Sequence, residues 1–299
     1  MIGYSTIYAI RQLPIDRVIA QYISIKKDGS ILKGCCPFHN EKTPSFVVYP
    51  KSNTYKCFGC GASGDAIQFV KDIKKVDFEQ AIEILAQENG IAIERTKQTE
   101  EQKKQQEQMK DALAVTAYAN KYFIKKLEFE QEAKDYLKNR ITEDSIAKWQ
   151  IGYAPNGNVL KKLAEEKGRI ELFYNAGMLG KNEANGTHYD RFQERISIPI
   201  LNYKNEVISF GGRTTTGKEP KYLNGSETDI FKKSNTLFGI NHFKAIDNTA
   251  ILVEGYFDVI GFHEKGCTNT VGTMGTALTA QHVQLLEKLV DAVIIMRDG

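Results

Sequence analysis

The sequence predicts a multidomain chain of mixed α+β and α/β class: a small metal-ribbon module with flanking helices, then a mixed α/β region that leads into a parallel sheet. Three observations carry this. Four of the five cysteines fall between positions 35 and 60. Amphipathic helical runs flank that cluster. Residues 250–299 alternate short apolar runs with helical pattern, the signature of βαβ units.

Length and composition agree. At 299 residues the chain exceeds one typical domain of roughly 100–200 residues. Its 41% hydrophobic and 26% charged content excludes wholesale disorder and collagen-like repeats. No run approaches the roughly 18 apolar residues of a membrane span, and the N-terminus lacks the basic start and apolar core of a signal peptide, so the chain is expected in the cytoplasm without a membrane partner. A net charge of +3 permits nucleic-acid binding without requiring it, since phosphate binders concentrate basic charge in local patches.

Residues 4–25 read as two short helices broken at Pro14. Over residues 65–90, Ile67, Val70, Ile73, Phe78, Ile82 and Leu85 line helical faces, with Asp77 as a cap and Gly90 as a stop. Residues 95–110 are almost devoid of apolar side chains, as suits a solvated linker or an exposed helix. This places domains at 1–94, 111–245 and 246–299 with a linker at 95–110. Helical periodicity returns over 112–137 and 140–153, then a Gly/Pro/Asn-rich turn at 154–158. ISIPIL and EVISFGGR read as alternating strands. AILVEG, TNTVGTM and DAVIIMRDG read as buried strands, with helical pattern at 256–265 and 280–290.

Cys36-Pro-Phe-His39, seventeen residues, then Cys57-Phe-Gly-Cys60 is the two-knuckle spacing of a zinc ribbon with one histidine. Each pair aims two donors at one ion, and Gly59 and Gly61 are expected to supply the turn angles. Four protein ligands leave no open position, so the zinc is structural. Cys35 competes with Cys36 for ligation, and the two-residue gap to His39 favours Cys36. His188, His242, His263 and His282 lack ligand spacing and read as surface or packing residues. Cys267 reads as a small apolar filler, and Trp149 as a core anchor.

CPFHNEKTPSFVVYPKSNTYKCFGCGASGD resembles the zinc-binding domain of bacterial DnaG-type primases. The resemblance implies that this module engages single-stranded DNA template. Lys42, Lys51 and Lys56 interleaved with Phe46, Tyr49 and Tyr55 suit phosphate contact plus base stacking; the alternative is a solvated face with the aromatics packed inward. VEGYFDVIGF, MGTALTAQHVQLL and IIMRDG resemble the Toprim core, here truncated. RFQERISIPI, VISFGGRT and PKYLNGSETDIFKKSNTLFGI resemble its primase branch.

The resemblance implies a Mg2+-dependent nucleotidyltransferase that makes RNA primers from ribonucleoside triphosphates on single-stranded DNA. Glu254 and Asp298 would be magnesium ligands and Asp258 a supporting acid. Carboxylates at the carboxyl ends of parallel strands do converge on the ligand crevice of α/β sheets. Arg140, Arg195, Arg213, Lys221 and Tyr222 would line the surface for template and nucleotide. A monomer is expected, with a replicative helicase contacted through a C-terminal region that this chain lacks. Two departures stand out: Arg297 replaces the family's aromatic residue, and the chain ends at Gly299, before a second Asp. They keep two further readings open, a non-catalytic single-strand-binding relative and a Toprim recombination mediator or nuclease.

Overall fold

The computed structural model describes residues 2–95, 99–217 and 219–297. They form two compact units, Met1–Gln102 and Lys103–Gly299. Among the described residues, no helix is long and apolar enough to cross a membrane.

The first unit runs α1 (Tyr4–Arg11), α2 (Ile15–Ala20), β1 (Ile25–Asp28), β2 (Ile31–Gly34), β3 (Phe46–Tyr49), β4 (Thr54–Cys57), β5 (Ser63–Gly64), α3 (Ala66–Lys74) and α4 (Phe78–Glu88). The strands pair in sequence order as an antiparallel meander. At its centre Phe46 stacks on Tyr55 at 4.9 Å and both meet Phe69 edge-on at 5.9 and 5.6 Å, and Ile10, Ile15, Ile19, Ile82 and Leu85 complete the core. Asp65 caps α3 by accepting the Gln68 N–H. Asp77 and Gln80 form a reciprocal capping box on α4, which satisfies two otherwise orphan helix donors. The chain then turns at Gly90, φ +65°. Ile2 pairs with Arg95, so the two ends of the described unit close on each other.

The second unit begins its core on α5 (Glu100–Leu127), followed by α6 (Gln131–Lys138), α7 (Glu143–Lys148), β6 (Gly152–Ala154), α8 (Val159–Glu166), α9 (Ile170–Asn175), β7 (Leu179–Lys181), β8 (His188–Asp190), β9 (Arg195–Leu201), β10 (Val207–Thr214), β11 (Tyr222–Asn224), β12 (Thr249–Val253), α10 (Tyr256–Glu264), β13 (Thr270–Gly272), α11 (Ala280–Leu286) and β14 (Ala292–Ile295). An antiparallel sheet has the order β11-β10-β9-β6, and a parallel sheet the order β13-β12-β14.

Of the segment read as a solvated linker or an exposed helix, residues 96–98 lie outside the described residues, and from Glu100 onward it is an exposed helix continuous with α5. Several other expectations are corrected. The helical run 112–137 is interrupted at 128–130. The run 140–153 is helical only over α7, because Gln150 turns at φ +54° and Gly152 enters β6. A Cβ on Gly152 would lie 2.4 Å from the Phe123 carbonyl carbon, so β6 lies against α5 at a distance only glycine permits. β9 does not alternate: all seven of its residues are buried. Conversely, β14, read as a buried strand, is exposed throughout.

Candidate metal centre and nucleic-acid surface

Antiparallel pairing of β3 with β4 sets Phe46 opposite Cys57 and so fixes the second zinc knuckle against the sheet. Donor atoms of Cys36, His39, Cys57 and Cys60 all lie within 4.8 Å of one another. Cys36 Sγ stands 3.7 Å from Cys60 Sγ, and Cys57 Sγ 3.9 Å from His39 Nδ1. Donors about 2.0–2.3 Å from one tetrahedral ion stand roughly 3.5–3.8 Å apart, so the residues fit zinc. Cys35 is exposed and outside the cluster.

Burial pushes the Cys36 thiol up to about 12. At Cys57 burial also acts upward, but the Ser45 hydroxyl and the N–H groups of Cys60 and Gly59 outweigh it and bring the thiol below its ordinary range. Zinc must therefore displace a proton at Cys36. Gly61 supplies a left-handed turn at φ +79°. Gly59 does something else: its φ is not positive, and a Cβ there would lie 2.5 Å from His39 Nε2. It is needed for space.

In the second unit, β12 delivers Glu254 to its carboxyl end. Gly255 N–H donates to Asp258 Oδ2 at 3.0 Å, which folds the Asp258 carboxylate back over the start of α10. Neighbouring β14 brings Arg297 alongside, its Nε 3.7 Å from Glu254 Oε1, with both side chains about half exposed. A cleft of about 240 Å3 opens here, lined by Glu254, Thr273, Gly275, Thr276 and Arg297 among others. Next to α10 stands a cationic and aromatic wall. Arg140 lies over Tyr136 at 4.6 Å and Phe257 at 5.9 Å. Arg213 lies over Tyr136 at 5.3 Å and Tyr222 at 5.1 Å, and its Nε donates to Tyr136 Oη at 2.7 Å. Tyr222 lies tilted against Tyr256 with centroids 6.0 Å apart, and the Tyr256 hydroxyl donates to Asn224.

Three families match in succession: the CHC2 zinc finger over residues 5–101, the N-terminal domain of the DNA primase catalytic core over 122–244, and the Toprim domain over 248–299. The zinc-binding and RNA polymerase domains of the Aquifex aeolicus primase are 33% identical, matching 98% of this chain and 72% of that one with a TM-score of 0.56. The chain belongs to the DnaG-type DNA primases. The DNA primase of Pseudomonas putida is 38% identical over 97% of this chain, and that of Halalkalibacterium halodurans 37% over 97%. The chain spans only 45% and 49% of those two primases' lengths. A DnaG primase catalytic domain bound to ssDNA is 35% identical, matching 64% of this chain and 62% of that one with a TM-score of 0.59.

Against this primase family background, the predicted site residues distribute unevenly. Arg140, Arg213 and Tyr222 come together on one wall, with Glu254 and Asp258 at the adjacent strand end. Lys221 is exposed next to them, and its carbonyl accepts from Arg213 Nη1. Arg195 is corrected: it is 4% exposed, and its Nη1 donates to the carbonyls of Gly212 and Pro220. It tethers the β10–β11 connection from beneath, because β9 is covered on both faces. Asp298 lies outside the described residues.

In the zinc module, Lys42 is exposed and Lys56 half-buried. Phe46 and Tyr55 are buried in the core, so they are not stacking partners. Phe58, between two ligands, is the aromatic side chain beside Lys56, 65% exposed with the ammonium 5.8 Å from its ring. His263 and His282 are buried and accept or donate within the fold, and His242 packs edge-on against Trp149, as their spacing suggested. Tyr136 was missed. It stands in the last turn of α6, and Arg140 reaches its ring from the turn that follows the helix; their closeness in the chain was the available signal.

Proposed function

We propose that this chain is the template-binding and polymerising N-terminal part of a DNA primase, which makes short RNA primers on single-stranded DNA. The observation that carries the reading is the juxtaposition of Glu254 and Asp258 at a strand end with the Arg140–Tyr136–Arg213–Tyr222 wall. Guanidiniums held on aromatic faces suit phosphate, and the exposed edge of Tyr222 suits a base. Glu254, Asp258 and Asp298 supply the hard oxygen donors that Mg2+ prefers. When bound, the magnesium would activate a primer 3′-hydroxyl and offset charge on the triphosphate. This chain's own residues orient that triphosphate: Arg140 and Arg213 take its charge, and Asp258 holds the Gly255 turn that aims Glu254.

The zinc module, through Lys42, Lys56 and exposed Phe58, would present the template strand. Ribonucleoside triphosphates are the substrates, a replicative helicase the partner through the region beyond this chain, and a cytoplasmic monomer at the replication fork the working form. The boundaries 1–94, 95–110, 111–245 and 246–299 are part of the same proposal.

The test is primer synthesis with ribonucleotides and Mg2+ on single-stranded DNA, comparing a chain extended past Gly299 with its Glu254→Gln variant. Primers from the parent and none from the variant are expected; equal synthesis by both would remove the catalytic assignment. One observation favours a second reading, a non-catalytic single-strand-binding relative: Arg297 stands within ion-pair distance of Glu254. Salt-sensitive DNA binding without any primer from the extended chain would establish it.

A further inference from the structure

The zinc ligands are tied together by a carboxylate that no ligand spacing reveals. Glu41 is enclosed, its side chain 11% exposed. Its Oε1 accepts the backbone N–H of Cys36 at 2.6 Å and of Ser45 at 3.2 Å. Its Oε2 accepts the Ser45 hydroxyl at 2.5 Å and lies 3.2 Å from His39 Nε2. The Ser45 hydroxyl is also 3.2 Å from Cys57 Sγ. One carboxylate thus reaches both knuckles: the first at the Cys36 backbone and the His39 ring, the second through Ser45.

We infer that Glu41 is a positioning residue for zinc, holding the proton of His39 on Nε2 so that Nδ1 is the metal-binding nitrogen. Nδ1 faces Cys57 Sγ at 3.9 Å, on the ligand side of the ring, and Nε2 faces the carboxylate. A carboxylate 3.2 Å away favours the proton on the ring nitrogen that faces it, and a protonated nitrogen cannot bind metal, so the contact favours one tautomer and ring orientation and raises the basicity of the ligating nitrogen. The space for this contact is provided by Gly59, whose Cβ would meet Nε2 at 2.5 Å and Ser45 Oγ at 2.9 Å. The inference concerns the zinc site alone and stands apart from the polymerisation reading.

The experiment is zinc competition against a chromophoric chelator, with Co2+ absorption as a second readout, on the full chain and its Glu41→Gln, His39→Cys and double variants. Gln at 41 still accepts from Cys36 but turns an NH2 toward Nε2–H. Glu41→Gln should lower zinc affinity by about 10–100-fold, the usual cost of losing such a partner. In the His39→Cys background the same change should cost less than about 3-fold, because the group it positions is gone. Equal losses in both backgrounds, or no loss in either, would overturn the inference. A two-bond 1H–15N spectrum of the zinc-loaded parent decides independently of variant folding: Nδ1-bound, Nε2-protonated His39 is expected, and an Nε2-bound ring overturns the inference.

Discussion

Tyr136 is the side chain on which the proposed phosphate wall is assembled, and replacing it isolates positioning from charge. Its ring carries Arg140 and Arg213, and its hydroxyl accepts from Arg213 Nε. Tyr136→Phe removes one hydrogen bond to a charged, half-exposed group, worth about 1 kcal/mol. Tyr136→Leu also removes two cation–π contacts of about 0.5–1 kcal/mol each at partly exposed sites. Freed arginines must be re-ordered on binding, at about 0.5–1.5 kcal/mol per side chain. With about 1.4 kcal/mol per tenfold change, single-stranded DNA affinity should fall about 2–5-fold in the Phe variant and, with about 2–3 kcal/mol lost in all, about 30–100-fold in the Leu variant. The assay is fluorescence anisotropy with labelled single-stranded DNA over a salt series. Both cations remain, so the log–log salt slope should match the parent, whereas Arg213→Ala should reduce it by about one. A Leu variant that binds within about 2-fold of the parent, or whose slope drops by a full unit, refutes the argument.

Four further outcomes are expected. Gly152→Ala forces a Cβ to 2.4 Å from the Phe123 backbone, an overpacking cost of about 1–3 kcal/mol that should lower the Tm of the Trp149 fluorescence transition by about 3–10 °C; an unchanged Tm would contradict the close packing of β6 on α5. Burial, then Lys148 and His263, hold His242 down to about 4, and burial lowers His263. The unfolded chain therefore takes up protons first, so stability present above the ordinary histidine value is lost as pH falls toward 4. Discounted for the half-exposed ring, His242 contributes about 1 kcal/mol of this, read as a lower urea midpoint of Trp149 fluorescence at pH 5 than at pH 7.5; His242→Phe should shrink the difference. Zinc removal by chelation should unfold the first unit while Trp149 emission stays native, and a far-UV spectrum unchanged by chelation would count against a structural metal. Arg297→Gln should raise Mn2+ affinity at Glu254 by about 2–5-fold, measured by electron paramagnetic resonance; weaker binding would mean that Arg297 supports the metal site.

The zinc centre was legible because its ligands sit on two local turns, where spacing along the chain is spacing in space. Caps and stops such as Asp77 and Gly90 were legible for the same reason. Arg195 is placed on the template surface by family resemblance alone, which does not say that β9 is buried on both faces. Phe46 and Tyr55 stay open between base stacking and inward packing in the sequence, which does not state which face of β3 and β4 meets α3; the structure packs them inward. Gly152 reads as part of a helix until the backbone of α5 stands next to it. Three-residue strands such as β7 and β8 are too short for any period to register. The Tyr136–Arg213 contact spans a separation of 77 residues, and only its local half, Tyr136 to Arg140, is written in the chain. Glu41, two residues after His39, was near enough to be noticed but follows no ligand rule.

The weight given to Arg297 decides between the two functional readings. Its ion pair with Glu254 is at 3.7 Å with side chains 62% and 45% exposed, a geometry worth about 0–1 kcal/mol after solvent screening. That is at most about a 5-fold handicap for a divalent cation competing for the carboxylate. Direct coordination by Mg2+ brings twice the charge to about 2.1 Å from the oxygen, so the cation displaces the guanidinium more readily than the reverse. Under the proposed metal assignment, Arg297 would be a weak competitor for Glu254 and not a block. An arginine this weakly paired would not by itself abolish catalysis, so primer synthesis by the extended parent chain, and not Arg297 substitution, separates an active primase from a binding-only relative, and Glu254→Gln then tests whether that synthesis runs through the proposed carboxylate.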